Sequence, residues 1–407
     1  QEDDAVGARH ALPLPANEPD SLPDDPALLT ACDDFAAAVN SYIFGRYVGA
    51  EGRRWLWAGL AAARARESQS RIRLFSGELG LWHDNRGLKR DAIAYHEQSL
   101  TAARAQGDKL NEATALSNIG LVWQNLGEKQ KALDYYEQSL PLKRAIDDKR
   151  GEANTLNNIG SVWLALGDYQ KALDFFQQAL PLRREVGDKR GEATTLHNIG
   201  AVWWGLGDQH KALNYYEQAL PLRREVGDKG GEAATLNNIG SVWLALGDYQ
   251  KALDFFEQAL PLRREVGDKG GEATTLHEIG LAWRKLGDNA KALDFYRQAL
   301  PLRREVGDKR GEAATLNNIG MVWRQLGDNA KALDFYRQAL PLCRQVGDIQ
   351  QEAITLSNIA IILWEQGDRA TALGYMQTAR AIKLRIGVSS QIEDDWLNQW
   401  RSEMGGE

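Results

Sequence analysis

The stretch GEAATLNNIGSVWLALGDYQKALDFFEQALPLRREVGDKG, residues Gly231–Gly270, decides the fold of this 407-residue chain, because nearly the same forty residues also occupy Gly151–Arg190. The two copies differ at only three places: Asn154 against Ala234, Gln177 against Glu257, and Arg190 against Gly270. Each short unit can bury its apolar face only against its neighbours, and a period of 20–50 residues is typical of solenoid proteins.

The tripeptide Asn-Ile-Gly marks the same point of successive units with no insertion between them. It ends at these glycines: Gly120, Gly160, Gly200, Gly240 and Gly320. Glu278-Ile279-Gly280 and Asn358-Ile359-Ala360 fall on the same spacing. This register predicts eight repeats of forty residues over 71–390, with a degenerate first repeat over 31–70 that has the sequence EGRRWLWAGLAAARARE in its second half.

Each repeat contains two helical patterns separated by Gly-Asp. The first run has apolar residues at Ala233, Leu236, Ile239, Gly240 and Trp243, and the second has them at Ala252, Leu253, Phe256, Ala259 and Leu260. Glycine suits the end of a helix and aspartate the start of the next one. We therefore predict two antiparallel helices in each repeat, helix A and helix B, and an all-α fold in which Trp243 and its equivalents are buried between helices.

Proline lies inside the second pattern of six successive repeats, at Pro141, Pro181, Pro221, Pro261, Pro301 and Pro341. Proline in a helix removes a backbone donor and clashes with the preceding turn, so we expect a kink in each of these B helices.

The two ends differ from the repeats. Residues 1–30 contain five prolines and seven acidic residues against one arginine, so we expect an extended acidic leader or linker there. This segment is also a candidate internal ligand for basic residues of the array. In residues 391–407, Ser390 is a candidate N-cap and Trp396, Leu397 and Trp400 share one face, so we expect a capping helix and tail.

Composition and motifs exclude several classes of function. The net charge of −7 gives no basic field for nucleic acid, and no apolar run is long enough to span a membrane. There is no phosphate-binding loop, no metal-binding spacing and no nucleophile elbow, so we expect no cofactor, no metal and no enzyme activity. Two distant cysteines, Cys32 and Cys343, favour a reducing, cytoplasmic location. The chain starts at Gln1 without methionine, so we expect a fragment or processed product.

The recurring residues resemble the tetratricopeptide repeat (TPR) signature, with these residues in the repeat quoted first: Leu236, Gly240, Trp243, Gly247, Ala252, Phe256 and Ala259. The forty-residue unit is similar to those of kinesin light chain and Pins-type adaptors, and to the sensor arrays of bacterial STAND signalling ATPases and CHAT-domain proteins. The degenerate repeat, FGRYVGAEGRRWLWAGLAAARA, resembles the first sensor repeat of STAND proteins. The resemblance implies a right-handed α-solenoid whose A helices line a concave groove that binds a protein or peptide segment.

One position of helix A, which we call the ladder position, carries asparagine in most repeats: Asn118, Asn158, Asn198, Asn238, Asn318 and Asn358. A carboxamide both donates and accepts hydrogen bonds, so a row of them can hold an extended peptide backbone whatever its side chains. The resemblance supports this reading, and Glu278 is the exception. Alternatively, each asparagine bonds a neighbouring helix or water.

Two further positions vary between repeats. The first, which we call the variable position, carries in chain order Gln124, Leu164, Trp204, Leu244, Arg284, Arg324 and Trp364. The second follows it directly and carries Asn125, Ala165, Gly205, Ala245, Lys285, Gln325 and Glu365. We expect an apolar region of the groove around Trp204 and Gly205. The basic residues of the next two repeats are expected to bind a carboxylate or phosphate group of the ligand. Alternatively, the arginines pair with nearby glutamates and Trp204 packs on the neighbouring A helix. His197 and His277 are expected to be polar groove residues rather than metal ligands.

The leading hypothesis is therefore a binding module, the ligand-sensing or partner-docking array of a larger bacterial signalling protein, with an ATPase or effector domain upstream. The alternative is a purely architectural or oligomerisation adaptor. A groove that changes from repeat to repeat favours the first hypothesis, because an adaptor needs only one repeated set of residues.

Overall fold

The computed structural model describes residues 50–405, which form eighteen α-helices and no strand. The chain divides into two compact units, residues 1–207 and 208–407. The described helices of the first unit are α1 (Ala50–Ala65), α2 (Gln69–Asn85), α3 (Lys89–Ala105), α4 (Lys109–Asn125), α5 (Lys129–Ala145), α6 (Lys149–Leu166), α7 (Tyr169–Glu185) and α8 (Lys189–Gly205). Those of the second are α9 (Gln209–Glu225), α10 (Lys229–Leu246), α11 (Tyr249–Glu265), α12 (Lys269–Lys285), α13 (Asn289–Glu305), α14 (Lys309–Gln325), α15 (Asn329–Gln345), α16 (Ile349–Glu365), α17 (Arg369–Arg385) and α18 (Gln391–Gly405).

Successive helices pack as pairs in both units. In the first unit, α2, α4 and α6 are A helices that pack on the B helices α3, α5 and α7. In the second unit, α10, α12, α14 and α16 pack on α11, α13, α15 and α17 in the same way. The prediction of an all-α array of repeated helix pairs is confirmed. The predicted leader (1–30) and the first part of the degenerate repeat (31–49) lie outside the described residues.

The Gly-Asp pairs end and start helices as their chemistry requires. Gly247 follows α10 with φ of 87°, a left-handed conformation that costs glycine nothing. Asp248 is the N-cap of α11, and its side chain accepts a hydrogen bond from the backbone N–H of Lys251 at 3.1 Å. The same aspartate N-cap recurs at most helices of both units, so most helices have the same length and equivalent side chains keep the same register.

The two helices of a repeat pack closely where the glycine of helix A meets an aromatic residue of helix B. Phe256 is fully buried, and a methyl group at Gly240 would come within 2.6 Å of its ring. Gly280 and Tyr296 meet in the same way, at 2.7 Å. The glycine of the Asn-Ile-Gly tripeptide is therefore required for the close approach of the two helices of a repeat.

The expected burial of Trp243 is wrong. Trp243 is only half-buried, and the Nζ atom of Lys251 lies 4.2 Å from the centre of its indole ring. Trp163 and Trp283 have equivalent partners, Lys171 at 4.0 Å and Lys291 at 3.7 Å. The indole packs in part against the core residues of α11 and α12, and a lysine lies over its ring.

The proline-containing B helices run without interruption. Pro181, for example, lies within α7, which continues as an α-helix for four further residues to Glu185. The expected kink at these prolines stays a prediction.

Helix α18 packs against the last repeat of the second unit. Trp400 is fully buried in the same core cluster as residues of α16, and its indole stacks on that of Trp364 at 4.4 Å with an interplanar angle of 5°. Glu393, also fully buried, forms an ion pair with Lys383 at 2.8 Å and accepts a hydrogen bond from Ser357 at 2.8 Å. The exposed side of α18 is polar apart from Ile392.

Candidate functional site

The A helices within a unit lie side by side, so equivalent positions form rows. In the first unit α6 contacts α8, and in the second α12 contacts both α10 and α14. The predicted ladder residues are all half-buried on these helices: Asn118, Asn158 and Asn198 in the first unit, and Asn238, Asn318 and Asn358 in the second. Each ladder side chain is thus partly accessible and partly held against its neighbours.

Some ladder amides bond the preceding A helix. The Nδ2 atom of Asn198 donates to Oδ1 of Asn157 at 3.2 Å, and the same oxygen accepts from the hydroxyl of Thr195 at 3.3 Å. In the second unit, Nδ2 of Asn318 donates to Nε2 of His277 at 3.1 Å. The ladder residues therefore link consecutive repeats, which is the alternative role considered for them from the sequence.

His277 is an internal residue, which corrects the expectation that it lines a groove. It is 8% exposed, and burial lowers its pKa to about 4. The hydroxyl of Thr315 donates to the carbonyl oxygen of Gly311, so it must accept from Nδ1–H of His277 at 3.0 Å. Nε2 then carries no proton and accepts from Asn318. His277 is therefore neutral and fixes the side chain of Asn318 by a hydrogen bond. His197, at the equivalent position of the first unit, is half-buried.

Other ladder amides bond a tyrosine hydroxyl of the preceding helix B. Asn158 bonds Tyr136, and Asn238 bonds Tyr216, whose pKa is raised to about 12 by burial. Each of these tyrosines lies 22 residues before its asparagine. A carboxamide has two N–H groups and one oxygen, so one internal bond does not exhaust its hydrogen-bonding capacity.

Two ladder positions carry a carboxyl group. Glu278 was recognised from the sequence as the exception, but Glu78, forty residues before Asn118, was missed although the same spacing identifies it. Glu78 is 9% exposed and Glu278 is half-buried, and burial raises the pKa of both to about 7. These two positions can change charge near neutral pH, whereas the asparagines cannot.

On α6 and α8 of the first unit, the variable position is apolar and open. Trp204 on α8 is 40% exposed, and Leu164 on the neighbouring α6 is half-buried. Gly205 lies beneath the ring of Tyr169, and any side chain at residue 205 would overlap that ring. The small residue beside Trp204 is therefore explained by packing between repeats, while the exposure of Trp204 has no such explanation.

In the second unit, the variable position changes from apolar to basic. Leu244 on α10 and Arg284 on α12 are half-buried, and Lys285 is exposed. Arg284 lies beside the hydroxyl of Tyr296. Arg324 on α14 forms an ion pair with Glu365 at 3.5 Å. Part of the positive charge expected for a ligand is thus already balanced within the array.

The residue type at the variable position varies together with the buried aromatic residue twelve positions later in the chain. The hydroxyl of Tyr136 donates to Oε1 of Gln124 at 2.9 Å. Polar residues at the variable position accompany tyrosine, as in Arg284 with Tyr296, and leucine accompanies phenylalanine, as in Leu244 with Phe256. Some of the variation therefore follows from internal pairing rather than from a ligand.

The described residues contain no group of three or more His, Cys, Asp or Glu side chains that could hold a metal ion. Cys343 is buried with its Sγ atom 4.0 Å from the hydroxyl of Thr355, and burial raises the pKa of its thiol, so it is a poor nucleophile. Between residues 50 and 405, no helix is long and apolar enough to cross a bilayer.

This structure is similar to many solved structures, among them the following three. A signal transduction ATPase with numerous domains (STAND) protein with a tetratricopeptide repeat sensor, from Pyrococcus horikoshii, matches with a TM-score of 0.63 and 14% identity over 93% of this chain and 54% of that protein. The apo form of the quorum sensor NprR from B. thuringiensis matches with a TM-score of 0.61 and 16% identity, covering 88% of this chain and 99% of NprR. A Rap protein complexed with competence and sporulation factor has a TM-score of 0.56 and 15% identity, covering 89% and 99%.

At these identities the similarity concerns the fold alone, and no curated protein sequence matches the chain significantly. A family model described as tetratricopeptide repeat matches residues 77–145, 151–225, 231–305 and 311–385, well over half of the sequence. The chain belongs to the tetratricopeptide repeat family, whose arrays are protein-interaction scaffolds.

Proposed function

We propose that this chain is the ligand-sensing or partner-docking array of a larger signalling protein and binds an extended protein or peptide segment along its A helices. The observation that carries the proposal is the row of half-buried ladder asparagines on neighbouring A helices. A carboxamide has two N–H groups and one oxygen, so a ladder residue that makes one internal bond keeps the capacity to pair with a peptide backbone as well.

The variable positions would give this interaction its specificity. In the first unit, Leu164 and the exposed Trp204 offer an apolar surface for an anchor residue. In the second unit, Leu244 is followed by Arg284, Lys285 and Arg324, which suit an acidic part of the ligand. Aromatic and arginine side chains are also the residues that most often dominate binding energy at protein interfaces.

The similar structures support this class of function. The Rap protein was solved with competence and sporulation factor, and the STAND protein is described as having a TPR sensor. The chain spans 54% of that STAND protein, and we propose an ATPase or effector domain as its upstream partner. A cytoplasmic location fits a sensor of this kind.

An architectural adaptor is the alternative, and the internal pairing of the variable positions favours it. Gln124 bonds Tyr136, and Arg324 pairs with Glu365, so these residues have roles without a ligand. Exposed Trp204 would then be a contact with another copy of the chain or with a tethered domain. Sedimentation of the purified chain distinguishes the two functions, since an oligomerisation adaptor self-associates at low concentration.

Peptide binding is tested by selecting a phage-displayed library of short random peptides on the full immobilised chain. The Kd of the best peptide is then measured by fluorescence anisotropy for the parent chain, Asn198→Ala and Asn318→Ala. Each lost hydrogen bond should weaken binding roughly fivefold to tenfold. Asn214→Ala, which changes an exposed asparagine of helix B in α9, is the matched control.

Urea melts of each variant separate a loss of binding from a loss of folding. Failure to enrich any peptide, or unchanged affinity in both ladder variants, would overturn the peptide-binding proposal.

A further inference from the structure

The ladder position of α12 differs from its neighbours on both sides. Asn238 on α10 and Asn318 on α14 present carboxamides, whereas Glu278 presents a carboxyl group at the same place. The inference below rests on the proposed peptide-binding function and concerns what this one position selects.

Glu278 lacks the internal partners that the asparagines use. Asn238 bonds the hydroxyl of Tyr216, 22 residues earlier, but the residue 22 before Glu278 is Phe256, which has no hydroxyl. Asn318 bonds the residue 41 positions earlier, and for Glu278 that residue is Asn237.

Asn237 is already paired with another residue of α12. Its side chain lies 3.0 Å from the hydroxyl of Thr275. Among the described residues, Glu278 makes no hydrogen bond and no ion pair. Its half-buried side chain therefore keeps its acceptor capacity for a group from outside the array.

The charged and titratable groups around Glu278 do not neutralise it. On its own helix, His277 is neutral and Arg284 lies beside Tyr296. On α13, Arg303 attracts the carboxyl group but is bonded to Asp308. On α11 and α14, the residues in register with Glu278 are Phe256 and Asn318, which do not titrate.

We propose that Glu278 is a specificity position that takes a cationic N–H donor of the ligand, supplied by a lysine or arginine side chain or by a free amino terminus. A carboxylate withdrawn from water without an internal donor gains most from a charged donor. Arg284, about one and a half turns further along α12, then binds an acidic group of the same ligand. The second unit thus selects a segment that carries a basic group close to an acidic one.

The test selects the same random peptide library on the parent chain, Glu278→Gln and Glu278→Asn. The parent should enrich peptides with lysine, arginine or a required free amino terminus, and both variants should lose this preference while still enriching acidic residues. Glu257→Gln is the matched control, because it removes the same charge from an exposed position where the twin repeat naturally has Gln177. Synthetic versions of the best peptide, with the lysine changed to alanine or the amino terminus acetylated, identify the source of the cation.

For the parent chain and a peptide whose cation is a lysine or arginine, the affinity should rise as the pH increases from about 6 to about 8, because only the ionised carboxylate attracts a cation that stays protonated over this range. Glu278→Gln should bind roughly tenfold more weakly at the upper pH and lack this dependence. If parent and variant enrich the same basic residues, the role of Glu278 is wrong while peptide binding stands. If none of the chains enriches any peptide, the proposed function itself fails and this inference with it.

Discussion

At the scale of single residues, the pairing of Gly240 with Phe256 sets how closely two helices approach. Gly240→Ala would place a methyl group 2.6 Å from the ring, so we expect it to lower the free energy of unfolding by about 1–3 kcal/mol. The last repeat carries a natural control, since Ala360 faces Met376 at the same two positions. The double variant Gly240→Ala with Phe256→Met should recover part of the loss, because methionine is flexible.

Urea melts of the two single variants and the double variant form a cycle that measures this coupling. Purely additive effects would show that the two positions do not share one packing constraint.

The carboxyl group of Glu278 should also make folding stability depend on pH, which can be measured without a ligand. Burial raises the pKa of Glu278 to about 7 from 4.5 in the unfolded chain. The folded protein therefore binds the proton more tightly, and this contribution to stability is complete below pH 4.5 and lost as the pH rises through about 7. Relative to Glu278→Gln, the parent should lose at most about 3 kcal/mol across this range.

Urea melts of the parent and of Glu278→Gln between these pH values measure the difference in unfolding free energy. The pKa of His277 is shifted in the opposite direction, but His277 is present in both chains, so its effect cancels. Glu257→Gln should show no such divergence, because that side chain is exposed. Parallel curves for the parent and Glu278→Gln would mean that the carboxyl group is well solvated in the folded state.

Sequence periodicity predicted the repeat boundaries, the helix caps and the ladder row, since these depend on spacing and turn chemistry alone. It was wrong about Trp243, because a recurring residue shows that a position is constrained but not that it is buried. It left open whether the ladder asparagines bond a neighbouring helix, as Asn198 and Asn318 do. Those bonds join residues 41 positions apart, and only the packing of one repeat on the next brings them together.

At the scale of helices, α18 replaces the next A helix and closes the core of the last repeat. Trp400→Ala should remove the indole stacked on Trp364 and cost about 3–5 kcal/mol locally. Each repeat of a solenoid contacts only its neighbours, so the loss should remain near α16, α17 and α18.

Hydrogen exchange measures this directly, with faster exchange expected in α18 and α16 and unchanged exchange in the first unit. Trp396→Ala is the matched control, since Trp396 is only half-buried and should have the smaller effect. Equal loss of protection throughout the described helices would instead indicate a single cooperative transition.

At the scale of the whole molecule, apolar and basic variable positions should affect different steps of binding. Exposed charges act over a Debye length of about 8 Å at physiological ionic strength, so they accelerate encounter and are screened by salt. A desolvated apolar anchor acts after encounter and slows dissociation. For a peptide selected on the second unit's residues, Arg284→Gln with Arg324→Gln should therefore lower the association rate and remove most of its salt dependence, whereas Leu244→Ala should speed dissociation.

Surface-immobilised binding kinetics at low and high salt separate these effects. Glutamine is preferable to glutamate at residue 324, because Glu365 lies 3.5 Å away and a second carboxylate would add repulsion. The control is Arg297→Gln with Arg337→Gln, which removes the same charge from exposed B-helix positions of the same two repeats. If the control changes the salt dependence as much as the helix A pair does, the arginines act only through net charge. If Leu244→Ala leaves dissociation unchanged, the peptide does not use the apolar variable position of the second unit.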